Sequence, residues 1–304
     1  MLHRRELLTA AVGGLLGSLA LPRPARAQSG VVDLGSGVFL LTAGRPNVLA
    51  RSTREGLVLV DSGAPELGDQ VAVAAGQIAP GGRVRTLFNT HWHEEHTGGN
   101  GVLARNGATI VAHENTRLWM ATPTWIPAED RYRPARPAAA VPTETFYTDG
   151  SMLAGDERID YGYLIEAHTS GDIFVFFRDA NVLAIGDVAS PARDPELDWF
   201  TGAWIGGRVD AMDRLLELVD GDTRVVPGFG PVMRRADLQA ERDVMAAVHD
   251  RTVERVRQGD SPEDLLAAGV LDGLSRTWED PLAFVSAVHK GLWAHHNKLN
   301  ADVV

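Results

Sequence analysis

The stretch FNTHWHEEHTGGN, residues 88–100, puts His91, His93 and His96 within six residues, directly after an apolar run. Random placement of ten histidines would produce that spacing about once in a hundred such chains. Neutral imidazole is the commonest protein ligand for transition metals. Residues two apart in an extended chain point the same way, so His91 and His93 can share one ion, and His96 returns from the first turn beyond. The chain has no cysteine, which excludes disulfides, thiolate ligands and cysteine nucleophiles. Every metal ligand must therefore come from His, Asp or Glu. A thiol-free chain also avoids mispairing in an oxidising compartment.

Four further stretches carry polar residues at the ends of apolar runs: VLVDSGAP around Asp61, EAHTSGD around His168, LAIGD around Asp187 and VVPGFGPV around Phe229. In order and approximate spacing the five stretches resemble the metallo-β-lactamase superfamily, over nearly all of residues 30–235. The resemblance implies an α/β fold, a four-layer αβ/βα sandwich with one or two metal ions, usually zinc, at a sheet edge. It implies a first ion on His91, His93 and His168, and three imidazoles with an open fourth position make a catalytic zinc geometry. It implies a second ion on the acid before the third histidine, on His96, on the Gly-Asp aspartate and on a late histidine. Here those positions are Glu95, His96, Asp187 and Phe229. Two departures thus fall on one site. Glu95 keeps the charge but moves the carboxylate by about a bond length and a half, and Phe229 cannot ligate a metal. The expectation is one tightly bound zinc and a weak or empty second position.

Other residues near these motifs have competing readings. Asp61 ends an apolar strand, where the family uses such a residue to orient a ligand histidine through its second nitrogen; it also suits a turn before Gly63. Asp172 shapes the loop after His168, and His113 suits a capping role at a strand end. Trp199, Phe200 and Trp204 offer either core packing or an apolar substrate wall beside the metal edge, with Phe229 bringing a further ring. His249, His289, His295 and His296 read as surface or packing residues of a helical tail.

These side chains need a scaffold of short strands and amphipathic helices. Strand-like runs at 37–43, 47–52, 56–61, 84–90 and 108–112 alternate with helices opening near Pro65, Gly98 and Glu114. A Pro-rich stretch at 122–142, with Trp125 and Tyr132, is a surface loop or a flap. Strands return at 157–167, 172–179, 181–187 and 224–228, with a helix at 209–219. The domain is expected over 28–235, followed by a helical extension, 236–304, packed on the core. Two β-then-α halves predict two facing sheets with helices outside.

The N-terminus reads as a leader. Arg4 and Arg5 precede an apolar segment from Leu7 to Leu21, and Ala25-Arg26-Ala27 offers a cleavage site before Gln28. Residues 1–27 are therefore a twin-arginine-type signal, and the expected location is the periplasm. No other segment is apolar and long enough to span a membrane. The net charge of −11 repels phosphate backbones, which disfavours nucleic acid and favours a small-molecule substrate. The expected chemistry is hydrolysis of an ester, lactone, thioester or amide, with Glu95 the candidate base and Asp187 assisting. Two alternatives stand beside it: a mononuclear iron oxygenase of the same fold, and a non-catalytic periplasmic protein that keeps the fold to bind a ligand.

Overall fold

The computed structural model describes residues 30–42, 45–79, 83–126 and 130–299. The expected leader lies outside them. A meander opens the fold: β1 (Val31–Gly35), β2 (Val38–Leu41), β3 (Val48–Thr53) and β4 (Gly56–Val60), each antiparallel to its predecessor. Helical crossovers then permit parallel pairing. They deliver α1 (Gly68–Ile78), β5 (Val84–Phe88), α2 (Glu94–Thr97), α3 (Asn100–Arg105), β6 (Thr109–His113) and α4 (Glu114–Ala121), with β4, β5 and β6 parallel. Within the Pro-rich stretch, β7 (Thr124–Ile126) and β8 (Arg131–Arg133) pair as a separate hairpin. After it, β9 (Glu144–Phe146) adds to β6 and completes a seven-stranded sheet.

The second sheet has five strands. Four run antiparallel: β10 (Asp149–Ala154), β11 (Glu157–Tyr163), β12 (Ile173–Phe177) and β13 (Val182–Gly186). Helix α5 (Ile205–Leu218) then returns the chain so that β14 (Arg224–Pro227) lies parallel to β13.

Side-chain alternation explains why these strands are apolar throughout. Val58 and Val60 of β4 meet Ile173, Val175 and Phe177 of β12 between the sheets. Their neighbours Leu57 and Leu59 face the other way, toward Val71 of α1 and Leu103 of α3, while Phe174 and Phe176 face Met212 and Leu215 of α5. A period of two with both faces covered leaves no polar positions in a central strand. The fold is the expected four-layer αβ/βα sandwich, with helices on both outer faces.

The helical extension expected over 236–304 is broken twice within the described residues. Helix α6 (Arg235–Arg257) ends before Gly259 and α7 (Pro262–Ala267) before Gly269, both at positive φ, where glycine is the natural terminator. Residues 268–280 then run without helix to α8 (Pro281–Leu299), which Pro281 opens. Leu238, Val248, Val285 and Val288 of these helices share one core with Phe174 and Met212. Among the described residues, no helix is long and apolar enough to cross a membrane.

Phe177 is fully buried between the two sheets. Phe177→Ala should therefore cost about 3–5 kcal/mol, read as a lowered urea midpoint at unchanged slope. A loss below about 1 kcal/mol would mean that the sheets close over the gap.

Candidate metal centre

Strands β4, β5, β13 and β14 all finish at one edge of the sandwich, and the polar motifs sit there. Asp61 follows β4, His91 and His93 follow β5, Asp187 follows β13 and Phe229 follows β14. His96 stands on α2, and His168 lies in the turn between β11 and β12. The backbone has to come close for this to happen. A Cβ on Gly228 would lie 2.0 Å from Asp187 Oδ1 and 2.6 Å from His96 Cε1, so only glycine passes there.

Hydrogen bonding fixes which nitrogen each histidine presents. The Thr90 hydroxyl gives its one proton to Asp61 Oδ2 at 2.8 Å. It must then accept from His91 Nδ1–H at 3.0 Å, which leaves the lone pair of His91 on Nε2. His168 Nδ1–H donates to the Glu196 carbonyl at 2.9 Å, leaving Nε2, and His93 Nε2–H donates to Asp198 Oδ2 at 3.2 Å, leaving Nδ1. His91, His93 and His168 each bring a ring nitrogen within 4.8 Å of the others. His93 Nδ1 and His168 Nε2 are 3.1 Å apart, and His91 Nε2 is buried without a hydrogen-bond partner. Converging lone pairs repel unless a cation or a proton sits among them, so the set fits a metal ion. Burial, and then the charges of His96, His168 and His93, hold His91 well below the usual imidazole range. Burial and then His93 push His168 down to about 3. Both are therefore neutral and ready to ligate. For His93, burial opposes protonation but the Asp198 carboxylate outweighs it and raises the pKa.

A second donor set, His91, His96 and Asp187, also falls within 4.8 Å. His96 Nδ1–H donates to Asp61 Oδ2 at 2.8 Å, and its Nε2 faces Asp187 Oδ1 at 3.3 Å. Burial would lower His96, yet Asp187 and Asp61 together raise it to about 10. Arg193 lies on the same side: its Nη2 donates to Glu95 Oε1 at 3.1 Å and to Asp187 Oδ2. Its guanidinium lies 3.7 Å from the Phe229 ring centroid, and Phe229 meets His96 edge-on at 5.6 Å.

Beside His93 opens a cavity of about 260 Å³. Trp92, Trp119, Trp199 and Phe200 wall it, and Ile126, Arg131 and Arg133 of the β7–β8 hairpin close it. The Pro-rich stretch is thus a flap over this pocket, with strands of only three residues. Trp204 turns away from it and stacks on His295 at 3.7 Å. Phe229 also lies outside it, on the Arg193 side. Asp172 closes the His168 loop by accepting from the His168 and Thr169 backbone, and His113 caps α4 by accepting from Asn115 N–H. Thr90, Asp198 and Arg193 have no counterpart in the sequence reading. Arg193 reaches Asp187 six residues away but also Glu95, 98 residues away, and Asp198 reaches His93 across 105 residues; no local spacing announces the long-range contacts.

Asp61 serves His91 through Thr90 and His96 directly, at a strained backbone φ of 63°. Asp61→Asn should weaken first-metal affinity about 10–100-fold, measured by competition with a chromophoric chelator. Unchanged affinity would remove Asp61 from the orienting role.

Comparison with known proteins agrees with this edge. The family model described as the metallo-beta-lactamase superfamily matches residues 44–244. No curated protein sequence matches the chain. Among solved structures, a metallo-beta-lactamase from Pontibacter korlensis shares 22% identity and a TM-score of 0.59, covering 71% of this chain and 98% of its own. The DIM-1 metallo-beta-lactamase shares 19% identity with a TM-score of 0.56, covering 71% and 96%. The stereoselective inverting sec-alkylsulfatase Pisa1 from Pseudomonas sp. shares 15% identity with a TM-score of 0.63, covering 91% of this chain but 52% of its own. At such identities the solved structures speak for the fold, while the family model spans both halves of the sandwich and the whole histidine edge, so the chain belongs to the metallo-beta-lactamase superfamily.

Proposed function

We propose that this chain is a hydrolase that uses one zinc ion, held by His91 Nε2, His93 Nδ1 and His168 Nε2, on a small ester, lactone, thioester or amide. The observation that carries this reading is the convergence of three lone pairs, each fixed by a hydrogen bond on the opposite ring nitrogen. Three imidazoles without a carboxylate favour zinc over iron. When bound in such a site, zinc supplies Lewis acidity, acidifying water and polarising a carbonyl.

The chain's own groups supply the rest. Trp119, Trp199, Phe200 and Ile126 hold the apolar body of the substrate and exclude water from one side of His93. Asp187 Oδ2 also accepts from Arg193, but at 3.9 Å from His168 Nε2 it is the carboxylate nearest the converging nitrogens of the first donor set, and so the one placed to orient a water and accept its proton. Glu95 is farther out, tied to Arg193 and partly exposed, and steadies that arginine. Export through the leader at Arg4 and Arg5 would present the enzyme to small external compounds.

Three outcomes follow from these assignments. His91→Ala should bind no zinc and lose turnover by on the order of 10³-fold. Asp187→Asn should keep the ion and slow turnover by about 10²–10⁴-fold, more than Glu95→Gln does. Chelation should abolish turnover, and zinc should restore it. The readouts are zinc content and rates across lactams, lactones, thioesters and sulfate esters, and full activity after chelation would refute the reading.

A further inference from the structure

We infer that the Arg193 guanidinium is the built-in second cation of this centre: it occupies the carboxylates that a second metal ion would need, and so restricts the centre to one ion. The inference rests on the one-metal reading above.

The second donor set looks complete only on a distance criterion. His91 has a single free lone pair, because its Nδ1–H is committed to Thr90. Once Nε2 serves the first set, the second retains only His96 Nε2 and Asp187 Oδ1, which are buried and face each other at 3.3 Å. Two donors are too few for a tight zinc site. The oxygens that could complete it are engaged by Arg193, which donates to Asp187 Oδ2 and to Glu95 Oε1.

The arginine is built in. Its flat face stacks on Phe229, where an aromatic ring favours a cation. Its backbone carbonyl accepts from Arg276 Nη2, which also binds the Ser190 carbonyl, while Arg276 Nη1 reaches the Glu241 carboxylate at 2.8 Å. The buried Arg208 clamps the same segment through the Asp187 carbonyl at 2.7 Å and Ser190 Oγ at 2.8 Å. A guanidinium does not lose its proton in proteins. A divalent ion entering beside it would meet a fixed like charge and a carboxylate already shared.

The test is zinc titration of the metal-free full chain by calorimetry, with the bound ion counted by elemental analysis. Wild type should take one equivalent. Arg193→Met should take a second, at least ten-fold tighter than any second event in wild type, and Arg193→Lys should behave as wild type. Arg193→Gln repeats the neutral arm should the methionine variant fail to hold its first ion. Two tight equivalents in wild type, or a second event in the neutral variants no tighter than in wild type, would overturn the assignment. The count does not depend on turnover, so a chain that holds one ion yet hydrolyses nothing in the panel refutes the hydrolase reading and leaves this result standing.

Discussion

The buried carboxylate of Asp61 is the constraint on which this edge depends. It accepts from Thr90 N, Thr90 Oγ1 and His96 Nδ1, all at 2.8 Å, and so joins the end of β4 to the segment after β5 and to α2. A buried carboxylate without such donors would carry a heavy desolvation cost, so the three segments are held in one arrangement. That arrangement decides the tautomers: Thr90 can take the His91 proton only because its own goes to Asp61. The backbone answers with its own concessions. Asp61 adopts positive φ, and Gly186, also at positive φ, leaves no room for a Cβ, which would come within 2.7 Å of Thr90 Oγ1.

Much of this was legible in the sequence because it is local or periodic. The spacing of His91, His93 and His96 is written within six residues, and the central strands announce themselves as unbroken apolar runs. Strands β1 and β10 escaped the reading because they lie at sheet edges: in β1 the burial does not alternate, and in β10 the exposed Leu153 and the half-buried Gly150 hide the alternation in the residue types. The breaks after α6 and α7 depend on single glycines in otherwise helical composition. Trp204 shows the limit of proximity in sequence: it is six residues from Asp198 yet faces His295 on another side. Arg193 and Asp198 stayed silent because their roles exist only once two sheets have closed.

The structure also gives a common partner to two departures that the sequence already placed on one site. Glu95 and Phe229, read there only as losses from a second metal position, both touch Arg193. Together they make a good seat for a guanidinium: a carboxylate to receive it and a ring face to stack against. The half of the edge that departs from the family pattern therefore has a coherent chemistry of its own. The half that keeps the pattern has three imidazoles, each steadied from behind.

The contact between Arg276 and the backbone at Ser190 and Arg193 has a consequence in time as well as in space. A chain is made from its N-terminus, and all three converging imidazoles precede residue 169, whereas the arginine that fastens the 190–193 segment emerges more than a hundred residues later. The opposite half of the edge is therefore held by contacts that only the later part of the chain can supply. The segment before α8 thus ties the histidine-bearing edge to a part of the chain that is made well after its three imidazoles.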